Sequence, residues 1–231
     1  MKTILRILLR ILKSIGIYLY REEITPAAVL LRRIEDRLID RAGGILHIGA
    51  HFGQEAQRYN LLGAPVLWIE ANPETYRVLL ESISKLPNQS ARNVLLGNIE
   101  VPSVVFHLTS NDYASSSLLE PKTETSEHFH LVGDLVLPMH RLDSVLTEEE
   151  AKRYRHWVID VQGAELPVLK GAGNLLNQCQ SLLIESKRES YYQSGVPFHE
   201  IKAFLMRQGF INLWEVDFNA EENILFVRTE K

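Results

Sequence analysis

From residue 45 onward, short apolar runs alternate with stretches whose apolar residues recur at helical spacing, and few folds accept that rhythm. ILHIG (45–49) precedes a helical pattern at 53–62, APVLWIE (64–70) precedes PETYRVLLESISK (73–85), and ARNVLLGN (91–98) follows as a third apolar run. Later, HWVID (156–160) leads into a helix near 165–176 and SLLIES (181–186) into one near 198–208. Strands joined by crossover helices make a mostly parallel sheet covered on both faces, an α/β fold. GFINLWEVD (209–217) and ENILFVR (222–228) have almost no helix between them, which implies an antiparallel C-terminal hairpin. A chain of 231 residues, 45% hydrophobic, suits one domain with an appendage.

Two segments depart from the rhythm. PAAVLLRRIEDRLID (26–40) starts with proline and carries apolar residues at helical spacing, so it reads as a helix, ended by Arg41-Ala-Gly-Gly44. With the residues before it, it forms an N-terminal helical appendage, 1–42, ahead of a main domain at 43–231. The stretch 99–140 contains strand-like VVFHL, a polar loop NDYASSSLLEPKTETSEHFH and an extended DLVLPMHRLDSVL, and reads as a functional insertion.

Charge is unevenly spread. Residues 1–20 hold Lys2, Arg6, Arg10 and Lys13 and no acid, while the whole chain carries −4. The cations share one helical face opposite Ile4, Leu5, Leu8, Leu12 and Ile15, a basic amphipathic helix. The cations interrupt the apolar run that a membrane span or signal peptide needs. Two readings stand equally: a helix lying in a membrane surface, or one packed on the domain or a partner. The net charge offers no field for phosphate backbones, so no nucleic acid is expected as partner. The single cysteine, Cys179, fits a reducing, cytoplasmic compartment, with peripheral contact at the inner membrane face as an option. His128, His130 and His140 lack acid or cysteine ligands at metal-binding spacing, so no metal is expected.

The first turn decides what such a sheet binds, because ligands lie beyond strand carboxyl ends where strand order reverses. Gly49 and Gly53 in GAHFG allow close backbone approach, yet the spacing lacks the middle glycine of a dinucleotide site and the G-K-S/T of a P-loop. Glu70 ends the second strand in LWIEANP, where a carboxylate can accept from ribose hydroxyls. Together they suit a nucleoside without pyrophosphate. The competing reading is that the glycines only shape a connection and Glu70 only caps the helix begun at Pro73.

LHIGAHFGQEA, WIEANPE, ASSSLL, HRLDSVL, VIDVQGAELPVLKGA and LLIES followed by Tyr191 and a closing GF occur in that order over residues 45–228. In this the chain resembles the FkbM family of S-adenosylmethionine-dependent methyltransferases, with IDVQGAELPVLKGA (159–172) the most specific piece. The resemblance implies a class I Rossmann-like methyltransferase fold and O-methylation of a saccharide or related small hydroxylated molecule. It implies adenosylmethionine held by His47, Gly49, Ala50, Gly53, Glu70, Ala71 and Asn72, with Asn98 near the adenine. Such methyltransferases commonly open the first motif with an acid, D-x-G; His47 stands there and cannot offer an acid's charge.

Methyl transfer to an alcohol requires an in-line acceptor oxygen and a group to take its proton. In this architecture the fourth strand's carboxyl end faces the methyl, which makes Asp160 the first candidate base and Glu165 the second. The alternative is that both serve the following helix N-terminus. Gln162, Glu185, Ser115, Ser116 and Ser117 are the candidate acceptor-binding residues. Loss of the first-motif acid leaves open a methyltransferase-like binding module without catalysis, and a nicotinamide-dependent oxidoreductase is the third and weakest reading.

Overall fold

A computed structural model describes residues 26–122, 129–187, 192–218 and 221–229. The basic segment 1–20, His128 and Tyr191 lie outside the described residues. Among the described residues no helix is long and apolar enough to cross a membrane.

The main sheet has seven strands in the order β3-β2-β1-β7-β8-β10-β9. They are β1 (Ile45–Ile48), β2 (Val66–Glu70), β3 (Gln89–Asn93), β7 (His156–Ile159), β8 (Ser181–Lys187), β9 (Phe210–Phe218) and β10 (Glu221–Arg228). Strands β3, β2, β1, β7 and β8 pair in parallel, and β10 lies antiparallel between β8 and β9. The antiparallel terminal hairpin is therefore present. β1, β2 and β7 are buried at every position, the burial that continuous apolar runs produce in a sheet covered on both faces.

Alternation assigns each strand residue to one of two cores. Leu46, Ile48, Trp157 and Ile159 pack on one face with α6 (Glu165–Gly171) and α7 (Phe198–Arg207). Ile45, Trp68 and Val158 pack on the other with Ile39 of α1 (Pro26–Ala42) and Tyr59 of α2 (Ala56–Leu61). α1 is fixed to that face by a buried polar chain. Glu35 takes Arg58 Nη2 at 2.6 Å and lies 3.3 Å from His156 Nε2, whose Nδ1 is 2.7 Å from Ser181 Oγ. Burial pushes the Glu35 carboxyl up, but His156 and Arg58 more than offset that and hold it at about 2.

Between β3 and β7 a second sheet forms, in the order β4-β6-β5, from β4 (Leu95–Gly97), β5 (Val101–Thr109) and β6 (Leu131–Arg141). ARNVLLGN is thus two strands rather than one, since the chain leaves the main sheet at Val94. Two short helices follow β6: α4 (Leu142–Val145), where an extended form was expected, and α5 (Glu148–Ala151), whose N-cap Thr147 and Glu150 form a capping box. The inner face of the small sheet carries Leu95, Phe106 and Met139 against Ala71 and Leu118. That packing stands it beside the carboxyl ends of β2 and β1.

Candidate functional site

The carboxyl ends of β2, β1 and β7 meet the small sheet at a cleft open to solvent. Its floor is the turn after β1. The Gly49 amide donates to Ile69 O at 2.9 Å, and the Asp160 amide to Ile48 O at 2.9 Å, so the neighbouring strand ends are drawn tightly together. Gly49 has φ +86°, and a Cβ there would stand 1.6 Å from Asp160 O; only glycine fits. Gly53, at φ +72°, lies under Leu79, which a Cβ would meet at 2.7 Å.

Glu70 closes one side. Its Oε1 accepts from the Asn72 amide and from Thr75 Oγ1, both at 2.9 Å, and its Oε2 accepts from the His51 amide at 2.7 Å. A carboxylate has about four acceptor positions, so these three donors leave room at Oε2 for a ligand hydroxyl. Burial raises the carboxyl above its ordinary value, while the amide and hydroxyl donors work the other way. The neighbouring wall is apolar: Ile69, Val94, Leu95 and Phe106. Opposite stands Asp160, whose Oδ1 accepts from Gln162 Nε2 at 2.6 Å. Residues 110–118 cross the mouth and bring in Tyr113 and Ser116.

Of the residues singled out from sequence, Gly49, Glu70, Ala71, Ser116, Asp160 and Gln162 line this cleft. The others do not. His47 alternates with Ile48 and therefore faces the opposite core, 4.7 Å between ring centroids from Trp68, with Nδ1 3.3 Å from the Tyr59 hydroxyl. Burial holds that imidazole down at about 3, so it is neutral and remote from the cleft. Ala50 is buried in the same core, and Gly53 supports the turn from beneath. Asn72 is the N-cap of α3 (Pro73–Ile83), with Oδ1 accepting from the Glu74 amide at 2.9 Å. Asn98 follows β4 on the exposed side, where its carbonyl accepts from Arg141. Asn98, expected beside the adenine, does not line the cleft, whereas Val94 and Leu95 do.

Glu165 is 2% exposed and accepts from the Gly163 amide at 2.9 Å and the Val161 amide at 3.3 Å. Burial pushes it up to about 7, and Glu185 nearby adds to the rise. It closes its own turn and does not reach the cleft. Ser115 and Ser117 are buried: Ser117 Oγ donates to Gln162 O at 2.7 Å, and Ser115 O accepts from Tyr192 OH at 2.7 Å. Glu185 sits on β8, one strand beyond β7, paired with Asn223 of β10. Among the described residues no group of His, Cys, Asp and Glu is arranged to hold a metal ion.

Sequence reasoning missed the apolar wall and Tyr192. The wall comes from the small sheet, and VVFHL alone does not say which face Phe106 takes. Tyr192 is buried, with its hydroxyl 3.1 Å from Gln162 Oε1. Burial and the Asp160 carboxylate push its phenol far up, so it keeps its proton and acts as a hydrogen-bond donor.

A family model described as the methyltransferase FkbM domain matches residues 47–211. Among solved structures, an uncharacterized protein from Listeria monocytogenes serotype 4b aligns with TM-score 0.52 and 10% identity, over 86% of this chain and 67% of that one. An rRNA methylase from Streptococcus thermophilus aligns with TM-score 0.51 and 9% identity, over 90% of this chain and 100% of that one. Likeness at such identity concerns the fold alone. No curated protein matches the chain.

Proposed function

The chain belongs to the FkbM methyltransferase family, and on that premise we propose that it transfers a methyl group from S-adenosylmethionine to a hydroxyl of a saccharide or related small molecule. One observation carries the reading. The glycine turn, the Glu70 carboxylate and Asp160 converge on a single cleft with an apolar wall between its polar ends.

The residues present fit this donor. Glu70 Oε2 has room for one ribose hydroxyl beside the His51 amide. Val94, Leu95 and Phe106 offer a flat apolar surface suited to an adenine. Gly49 lets the main chain come close without a side chain in the way. The bound donor supplies a methyl group activated by a sulfonium centre. The protein must then orient an acceptor hydroxyl and remove its proton. Asp160 has the position for that: it lines the cleft, and Gln162 Nε2 holds one of its oxygens. Ser116 and Gln162 add hydrogen-bonding groups beside it, which favours an acceptor rich in hydroxyls. Glu165, sealed in its turn, is the weaker candidate base.

Calorimetry with S-adenosylmethionine and with a reduced nicotinamide cofactor tests the donor. Binding of the nicotinamide alone would defeat the reading. Labelled donor incubated with saccharide fractions tests the acceptor. In Asp160→Asn, donor affinity should stay within about threefold while methylation falls by ~100-fold or more, the range for loss of a general base. Parent-level methylation by that variant would remove Asp160 from the chemistry.

A further inference from the structure

Residues 110–118 form a strap over the mouth of the cleft, contributing Tyr113, Ala114 and Ser116 to its lining. Asp112 and Tyr113 are consecutive left-handed residues, at φ 56° and 67°. That conformation is unfavourable for side-chain-bearing residues, so contacts from outside the strap must hold it. Such contacts include three at Asp112, Tyr113 and Ser115. Tyr113 OH donates to Glu74 Oε2 at 3.1 Å, Tyr192 OH donates to Ser115 O at 2.7 Å, and His51 Nε2 lies 2.7 Å from Asp112 O.

The third contact reaches back to the donor site. Asp112 O can only accept, so His51 Nε2 carries the proton. The other ring nitrogen, Nδ1, lies 2.7 Å from Gln54 Nε2, which can only donate. The ring is thereby fixed as one neutral tautomer aimed at the strap. The main-chain amide of the same residue donates to Glu70 Oε2 at 2.7 Å. His51 itself lines the cleft.

We infer that His51 is a positioning residue for the donor, its amide aiming Glu70 and its imidazole fastening the 110–118 strap across the cleft. The inference rests on the donor reading above. Donor exchange then requires the bond between His51 and Asp112 to open, and the side chain at position 51 governs how long the donor stays.

The test uses the full chain and two readouts. His51→Ala deletes the imidazole but keeps the amide that serves Glu70. In the donor-free protein, the amides of Ser116 and Ser117, which donate to Tyr113 O and His107 O, should exchange with solvent about tenfold faster, the effect expected for loss of one hydrogen bond. Dissociation of S-adenosylmethionine, followed by displacement with unlabelled donor, should accelerate by a similar ~10-fold. His51→Gln, which keeps a donor at comparable reach, should recover most of both. Gln54→Leu, altered on the exposed side of the ring, tests the same contact with little burden on folding and should give about a threefold effect on each. Unchanged exchange at Ser116 and Ser117 in both His51→Ala and Gln54→Leu overturns the inference, as does faster exchange with unchanged donor dissociation. Failure of the parent to bind S-adenosylmethionine would sink the donor reading instead, and the exchange experiment is independent of it.

Discussion

Glu165 should give the protein a pH-dependent stability opposite in sign to that of most acids. Its carboxyl is 2% exposed, and burial pushes it from 4.5 to about 7. The folded protein therefore holds a proton that the unfolded chain releases above pH 4.5. That contribution is complete below pH 4.5 and is lost as pH rises to about 7. At about 1.4 kcal/mol per unit, the shift is worth roughly 3 kcal/mol. His47 acts in the other direction: burial holds it at about 3 against 6.5, so its contribution is complete above pH 6.5 and lost as pH falls toward 3, up to about 5 kcal/mol. From pH 4.5 to 6.5 these two contributions oppose each other in the parent. Glu165→Gln keeps an acceptor oxygen for the Gly163 and Val161 amides and removes the titration. Urea unfolding at pH 4.5, 5.5, 6.5 and 7.5 should show parent-minus-variant stability falling by about 3 kcal/mol across the series. The variant should lose the Glu165 contribution while keeping that of His47. A parent–variant difference that stays constant over that range would refute the argument that this carboxyl is held by burial in its turn.

Gly49→Ala places a Cβ 1.6 Å from Asp160 O at a left-handed φ, so the strand ends must separate; melting should drop by about 10 °C, roughly 3 kcal/mol, with S-adenosylmethionine binding lost in calorimetry. Glu70→Gln sets an amide NH₂ against either the His51 amide or the pair from Asn72 and Thr75, one donor facing another; donor affinity should fall ~100-fold and stability by about 1–3 kcal/mol. Tyr192→Phe leaves the buried Ser115 carbonyl without its 2.7 Å donor, and urea unfolding should register a loss of about 1–3 kcal/mol.

Sequence exposed the strands well because parallel strands buried on both faces read as unbroken apolar runs. The same property concealed which face each residue takes. A uniformly buried ILHI carries no alternation signal, and His47 was assigned to the ligand side although Ile48 occupies it. Glu70 was legible from its place at a strand end before Asn72 and Pro73, and Asp160 from the corresponding position after β7. Asn98 was misplaced because a single apolar run conceals the bend at Val94 that sends β4 into a second sheet. The apolar wall arises where that sheet packs against Ala71, a contact distant in sequence. Ser115 to Ser117 show the limit of residue type as a guide. The three are adjacent, yet Ser115 and Ser117 are consumed in holding the strap, and Ser116 lines the cleft.

Gln162 links the two halves of the site through the asymmetry of its amide. Nε2 lies 2.6 Å from Asp160 Oδ1, and Oε1 lies 3.1 Å from the Tyr192 hydroxyl. Turned over, the amide would place its oxygen against the carboxylate, two acceptors at hydrogen-bond distance, unless Asp160 carried a proton. The observed arrangement suits the ionised acid, the form able to accept a proton from an acceptor hydroxyl, and a protonated acid could accept the same amide at its carbonyl oxygen. Once Asp160 is protonated the reversed amide becomes equally good, since Nε2 could then donate to the Tyr192 oxygen while the phenol proton stays on Ser115 O. Position 162 can follow the protonation state of the acid without moving the backbone. Its own carbonyl is held by Ser117 Oγ at 2.7 Å, which ties that turn to the strap. The strap and the Asp160 carboxylate thus share one set of hydrogen bonds, through Gln162, Tyr192, Ser115 and Ser117.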